Sequence, residues 1–212
     1  MTDDSPPDLD GAYALRSPED ARRLYADWAE SYDADFVAAT GYRIARRVAE
    51  IFRGAGGRSP VLDVGCGTGA VALALPEEME IDGIDLSPEM LAVAARTGRY
   101  GALVEADLTQ YLPALPRAPY GGLVSAGTFT HGHVGPDALP RLVEVLAPGG
   151  WFVFSTRPEL YLDGFEETLE ALAGDGLVSL PLTQAERIYE NAEAAPEGHG
   201  QDMALIVTVS RL

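Results

Sequence analysis

The sequence predicts an α/β fold: seven strands in a mostly parallel sheet with an antiparallel last strand, and helices on both faces. Three observations carry this reading. Short apolar runs alternate with helical patterns from residue 60 to residue 156, as they do when helices connect parallel strands. The first run, Val61-Leu62-Asp63-Val64, opens into a loop with Gly65, Gly67 and Gly69, and a helical pattern resumes at Ala70. At the far end, runs 177–182 and 204–210 are joined by an Ala-, Glu- and Gly-rich segment, 190–202, with no periodicity for a crossover helix. A hairpin-like antiparallel pair follows.

Taken in order, residues 1–17 are rich in Pro and Asp and are expected to form a mobile tail. Ser17-Pro18-Glu19-Asp20 reads as a helix start, with a capping hydroxyl, proline at the first position and acids in the first turn. This helix carries Leu24, Tyr25, Trp28 and Tyr32. A second helix, about 40–53, sets Ile44, Val48, Ile51 and Phe52 on one face and ends at Gly54-Ala-Gly-Gly. Strands are expected at 60–64, 80–85, 102–106, 121–126 and 150–156, and helices at 69–75, 88–97, 137–146 and 164–173. Pro113, Pro116 and Pro119 make the crossover at 107–120 a loop or a very short helix.

Composition bounds the function. A chain of 212 residues fits one domain, expected over 18–212. No apolar run approaches the roughly 18 residues of a membrane span, and Met1–Asp10 lacks the pattern of a secretion signal. The expectation is a soluble, cytoplasmic protein with no membrane partner. Fifteen Lys and Arg against 33 Asp and Glu leave a net charge of −18, a field that repels nucleic acid. The one local basic excess, Arg43, Arg46 and Arg47, reads as a solvated helix face. Cys66, the single cysteine, excludes an internal disulfide and a thiolate metal cluster, and no metal is expected.

The glycine loop leaves alternatives open. Gly65-Cys66-Gly67-Thr68-Gly69-Ala70 fits the dinucleotide fingerprint, the Asp-x-Gly-x-Gly-x-Gly pattern of S-adenosylmethionine sites, and a turn with no ligand at all. The loop glycines would let a ligand reach the backbone, and the first N–H groups of the following helix would face it. Asp85 ends the second strand 22 residues after Asp63, where a carboxylate can accept both hydroxyls of an adenosine ribose. Asp107 ends the third strand and can accept from an exocyclic adenine amine or cap the next turn.

Together, VLDVGCGTGAVALAL, IDGIDLSPEML, VEADL and LVEVLAPGGWFVFS closely resemble the ordered motifs of class I S-adenosylmethionine-dependent methyltransferases, over residues 20–212. Tyr-Ala-Asp-Trp-Ala-Glu-Ser-Tyr-Asp at 25–33 and Ser-Ala-Gly-Thr-Phe-Thr-His-Gly-His-Val-Gly-Pro-Asp-Ala-Leu at 125–139 look like the Williams-Beuren-region methyltransferase-like subgroup. The resemblance implies a Rossmann-like fold, S-adenosyl-L-methionine as cofactor and S-adenosyl-L-homocysteine as product. Asp63, Gly65, Cys66, Gly67, Asp85, Leu86, Asp107, Leu108, Ser125 and Ala126 are then the expected cofactor residues. Asp63 would order the loop and face the cofactor's ammonium, and Leu86 and Leu108 would sandwich the adenine.

The resemblance also implies that residues 18–53 form a helical lid from which Tyr25, Trp28 and Tyr32 reach the cofactor. His131 is the candidate base. Thr128, Phe129, His133, Arg157 and Tyr161, placed after strand ends, are candidate acceptor contacts. The expected activity is methyl transfer to O, N or C of a small-molecule acceptor. Competing readings are a non-catalytic S-adenosylmethionine-binding or interaction protein and an NAD-dependent oxidoreductase. Nucleic-acid methylation is disfavoured by charge and by Ser125-Ala-Gly-Thr standing where an Asn/Asp-Pro-Pro-aromatic run would be required, while a basic protein tail stays compatible with the acidic surface.

Overall fold

The computed structural model describes residues 41–193, Ala195 and residues 198–212. The expected tail and most of the expected lid, with Tyr25, Trp28 and Tyr32, lie outside the described residues. The strands are β1 (Val61–Val64), β2 (Ile81–Asp85), β3 (Tyr100–Glu105), β4 (Tyr120–Phe129), β5 (Leu146–Thr156), β6 (Leu182–Arg187) and β7 (Met203–Ser210). The described helices are α1 (Ile44–Gly54), α2 (Ala70–Ala74), α3 (Pro88–Arg96), α4 (Leu139–Glu144) and α5 (Glu166–Gly174), with short helical turns at 136–138 and 158–165.

All seven strands form one sheet in the order β3-β2-β1-β4-β5-β7-β6. The neighbours from β3 through β5 are parallel, and β7 inserts antiparallel to both β5 and β6. Strand order reverses between β1 and β4. An open α/β sheet leaves a crevice there, at the carboxyl ends of the strands.

Side chains alternate across the sheet with the period of two that a strand imposes. Leu62, Leu123, Phe152, Phe154, Val207 and Val209 point to one face and pack with Leu139 and Leu142 of α4 and Leu169 of α5. Val61, Ile81, Val124, Val153 and Ile206 point to the other and pack with Ile44, Val48 and Phe52 of α1 and Val71 of α2. Both faces are covered, so β1 is buried at every position, as are the first six residues of β4. No described helix is long and apolar enough to cross a membrane.

Local chemistry fixes the connections that bear on the site. Ser87 caps α3, its hydroxyl oxygen accepting from Met90 N at 3.2 Å with Pro88 in the first turn. The stretch 107–119 is loop and turn, as its prolines require. Arg43, Arg46 and Arg47 are not a purely solvated face. Arg47 and Arg43 both pair with Glu186 of β6, Arg46 with Glu190, and Arg47 also with Glu50, so α1 is tied to the antiparallel edge of the sheet.

The sixth strand differs from the expectation. The run 177–182 contributes only an isolated bridge, Val178 to Arg211, and the strand begins at Leu182. Pro181 interrupts the run. The residues that pair are an edge strand, Leu-Thr-Gln-Ala-Glu-Arg, whose single buried member is Glu186. An apolar-run criterion does not detect a strand buried through a charge.

Candidate functional site

A cleft enclosing about 140 Å³ opens at the carboxyl ends of β1, β2, β3 and β4. The glycine loop, Asp85, Leu86, Ser87, Met90, Ala106, Asp107, Leu108 and Thr109 line one side. Tyr42, Ala45, Ala126, Gly127, Thr128, His133 and Val134 line the other.

The loop is stitched to β2 by its own backbone. Gly65 N and Cys66 N both donate to Ile84 O, at 2.8 and 3.0 Å, and Gly69 N donates to Cys66 O at 2.9 Å. Two glycines of this loop are required for different reasons. At Gly65 (φ 65°) a Cβ would lie 1.9 Å from Thr128 Oγ1, and Thr128 is itself anchored by donating to Val64 O at 3.0 Å. At Gly67 (φ 53°) a Cβ would meet nothing within 4 Å and would project from the cleft wall. Gly65 therefore serves the protein's packing, and Gly67 keeps space open for a ligand.

Asp85 is fixed before any ligand arrives. Its Oδ2 accepts from Gly67 N at 2.8 Å and its Oδ1 from Ser87 N at 2.9 Å. A carboxylate offers about four acceptor positions, and these amides leave capacity for a hydroxyl donor. Burial pushes the Asp85 carboxyl above its ordinary range, and the backbone N–H groups of Ser87, Gly67 and Leu86 act against that shift. Asp107 both caps and lines: Oδ1 accepts from Thr109 N at 2.9 Å and Thr109 Oγ1 at 2.6 Å while the residue stands in the cleft wall. Leu86, Met90, Ala106 and Leu108 supply apolar surface between the two acids.

Asp63 does not line the cleft. It is fully buried on β1, and Tyr100 Oη donates to its Oδ2 at 2.7 Å. Desolvation pushes its carboxyl up to about 7, against the Tyr100 hydrogen bond and with a further push from Asp85. Ser125 is also withdrawn from the wall, its hydroxyl donating to Val64 O at 2.6 Å. The Asp63 side chain thus sits behind the loop, because strand residues that close the sheet face point into the protein rather than along the strand axis, while the Ser125 contact was expected through its main chain.

On the acceptor side the structure reorders the candidates. Thr128 and His133 stand in the cleft wall. His133 Nδ1 lies 2.9 Å from the His131 carbonyl oxygen, which only accepts. Nδ1 therefore carries the proton in the neutral ring and the lone pair falls on Nε2. Burial lowers the His133 pKa, which keeps the ring neutral. His131 faces away: its side chain is half exposed, with Nε2 3.4 Å from Glu159 Oε1.

Arg157 pairs with Glu159 at 3.2 Å and with Asp202 at 2.9 Å, outside the cleft lining. Phe129 and Tyr161 are buried in the core beneath the cleft, Phe129 edge-on to Phe154 and Phe165. Placement after a strand end did not distinguish residues facing the crevice from those turning into the core.

Tyr42, Ala45, Met90, Thr109 and Gly127 line the cleft without having been expected to. Tyr42 lies ahead of α1 and forms an isolated bridge and an edge-on ring contact with Tyr189. It falls inside the helix expected at about 40–53, where nothing in the sequence singles it out. Among the described residues no cluster of three or more His, Cys, Asp or Glu side chains is arranged to hold a metal ion.

A parallel sheet reversing at β1 and β4, one antiparallel inserted strand, a glycine loop and acids at the ends of β2 and β3 define the class I methyltransferase architecture. The comparisons agree. A family model described as a methyltransferase domain matches residues 61–150. Methyltransferase-like protein 27 of Homo sapiens is 35% identical over 181 residues, covering 78% of this chain and 73% of that protein. Trans-aconitate 2-methyltransferase of Streptomyces avermitilis is 39% identical over 105 residues, 44% of this chain and 37% of its own length. Magnesium protoporphyrin IX methyltransferase from Synechocystis PCC 6803, solved with bound S-adenosylmethionine, shares the fold with a TM-score of 0.64 at 17% identity, covering 94% of this chain and 99% of that one. The chain belongs to the class I S-adenosylmethionine-dependent methyltransferases, and within them it groups with the Williams-Beuren-region methyltransferase-like proteins. It is an enzyme of that class and its cofactor is S-adenosylmethionine.

Proposed function

We propose that this methyltransferase acts on a small molecule whose nucleophilic atom arrives protonated, with His133 as the base. The observation that carries this reading is a histidine in the cleft wall whose Nδ1 lies 2.9 Å from a carbonyl oxygen, which sets the neutral tautomer with its lone pair on Nε2. S-adenosylmethionine supplies an electrophilic methyl on a sulfonium. The residues present fit it: Gly67 leaves open space where a side chain would stand, and Asp85 offers two carboxylate oxygens beside an apolar wall.

Asp85 is assigned to the ribose hydroxyls, Leu86, Met90 and Leu108 to the faces of the adenine, and Asp107 to its edge. Gly65, Cys66, Gly67 and Ala126 are assigned to main-chain contacts with the amino-acid part. Thr128, Tyr42 and His133 border the acceptor. His133 Nε2 takes the acceptor's proton as the nucleophile advances, and the buried ring gains from having no charge to desolvate beforehand. Positioning by the rigid loop supplies much of the remaining rate. The helical lid expected over residues 18–53, carrying Tyr25, Trp28 and Tyr32, is part of the same proposal. It would exclude water from a centre that loses charge in the transfer.

The net charge of −18 and the pairing of Arg43, Arg46 and Arg47 with acids support a small-molecule acceptor over a nucleic acid. The test is formation of S-adenosylhomocysteine from S-adenosylmethionine across a panel of phenols, amines, thiols and carboxylic acids, with mass spectrometry of the product. Turnover on a neutral protic acceptor, abolished by His133→Ala, supports the proposal. Cofactor binding with no turnover on any class counts against it.

A further inference from the structure

The mechanism leaves one buried ionisable pair unused. Asp63 and Tyr100 lie directly behind the glycine loop, on strands separated by β2. Tyr100 reaches Asp63 over Gly83, where a Cβ would stand 3.0 Å from Tyr100 Cε1, 2.9 Å from Cys66 Sγ and 2.7 Å from Leu103 Cδ2. The same ring supports the loop from below, since a Cβ on Gly69 would lie 3.3 Å from Tyr100 Oη. Tyr100 donates to Asp63 Oδ2 at 2.7 Å, while Asp63 Oδ1 is buried with no partner among the described residues. No side chain meets that oxygen, and besides Tyr100 the group that favours the carboxylate is the backbone N–H of Ala72 in α2. A fully buried carboxylate with so few donors is under-satisfied by the protein alone.

We infer that Asp63 and Tyr100 form a proton-linked pair beneath the loop that sets affinity for the positively charged cofactor, with Tyr100 as its positioning residue. A cation above the loop favours the carboxylate, so cofactor binding releases a proton from Asp63. The inference rests on the cofactor lying over this loop.

The titratable groups that face Asp63 are few. Tyr100 comes from β3, Cys66 from the loop and Asp85 from the end of β2. Its strand neighbours are Gly83 of β2 and Val124 of β4, and α2, Ala-Val-Ala-Leu-Ala, presents nothing that titrates. The Asp63 carboxyl sits at about 7 because burial disfavours its charge, and Tyr100 holds it from rising further. Desolvation and the neighbouring acids push both the Tyr100 hydroxyl and the Cys66 thiol far above their ordinary ranges, so neither ionises near neutrality. That leaves the carboxyl as the group of this pair that changes charge there.

The test is calorimetric titration of the full chain with S-adenosylmethionine from about pH 5 to about pH 9, together with thermal unfolding of the cofactor-free chain over the same range. Below the break, cofactor affinity is expected to weaken by up to about tenfold per pH unit, with KM for cofactor following. Tyr100→Phe moves the break to higher pH, and Asp63→Asn removes it. For the cofactor-free chain the sign is that of a raised carboxyl: its contribution is full below the unfolded value near 4 and is lost as pH rises to about 7. Asp63→Asn flattens that slope and Tyr100→Phe extends it upward.

A break that stays in place in Tyr100→Phe, or survives in Asp63→Asn and so belongs to Asp85, overturns the inference. Should Asp63→Asn fail to fold, Tyr100→Phe, which keeps the ring, decides alone. Absence of cofactor binding at every pH refutes the cofactor's placement, and the unfolding titration still decides whether the pair titrates as stated.

Discussion

The carboxyl ends of β1, β2 and β3 and that of β4 with the connection after it border the same crevice and are built on opposite principles. On the first side the parts are backbone and short side chains at strand tips. Gly65, Cys66 and Gly67 are hydrogen-bonded to Ile84 and Asp85, and Asp85 is held from two directions. On the second side the candidate groups lie on longer connections, and several are committed to one another. His131, Glu159, Arg157, Asp202 and His199 form a chain of polar contacts, with Arg157 ion-paired to both acids, that joins the segments after β4, after β5 and before β7. A cofactor shared by a family calls for fixed geometry, which strand ends provide, and an acceptor peculiar to one enzyme calls for loops that can vary.

The largest predicted effect breaks the fixed side at its seam. Gly65→Ala puts a methyl group 1.9 Å from Thr128 Oγ1, which is held on Val64 O, and does so at φ 65°. Loss of several kcal/mol, about 2–4, is expected from overpacking and left-handed strain together, with no measurable cofactor binding. Gly67→Ala meets only open space, so its stability cost is about 1–2 kcal/mol from backbone strain, while affinity for S-adenosylmethionine still falls. Denaturant unfolding and calorimetry on the two variants separate these effects. Equal destabilisation by both would remove the distinction drawn between the two glycines.

Next in size is Asp85→Asn. A charged acceptor is replaced by a neutral one that must also keep the Gly67 and Ser87 amides satisfied. Cofactor affinity should fall about 10- to 100-fold, as expected for a hydrogen bond to a charged group, with a smaller change in stability. His133→Gln then probes the variable side. kcat should fall by about 100-fold or more while KM for cofactor stays put. Because burial lowers the His133 pKa, the acid limb of kcat should lie below the ordinary histidine value of about 6.5. The base is active above that limb and is lost as pH falls through it. A cofactor-affinity defect in His133→Gln would place the ring on the other side of the crevice.

The same division governs what could be read from the chain. The glycine loop, Asp85 and Asp107 were legible because a strand tip leaves little choice of direction, and each needs a particular residue type. Asp63 and Ser125 were recognisable as motif positions, but their direction was not, since a residue one position earlier on a strand points to the other face. On the acceptor side, spacing alone could not tell His133, which lines the cleft, from His131, which faces Glu159. Phe129 is the last residue of β4 and fills the core. Tyr42 reaches the cleft only through the packing of α1 and its contact with Tyr189, a long-range relation that no local pattern encodes. The sixth strand was misplaced for a related reason, its burial resting on Glu186 and on Arg43 and Arg47, just ahead of and at the start of α1.

The smallest predicted effect tests whether the chain of polar contacts on the variable side has any part in the chemistry. His131 was the first candidate base, yet its ring is half exposed and 3.4 Å from Glu159 Oε1, a long contact in high dielectric. Exposed pairs of this kind contribute about 0–1 kcal/mol, so His131→Ala should leave stability within about 0.5 kcal/mol. Turnover on an identified acceptor should change by less than about threefold if the ring only helps seat the 130–135 loop. Arg157→Met is the sharper companion, because Arg157 joins Glu159 to Asp202 and its removal separates the two loops. If His131→Ala alone costs as much turnover as His133→Gln, the two sides of the crevice are not divided as argued. The loop must then turn over in the complex, bringing the exposed histidine to the acceptor and withdrawing the buried one.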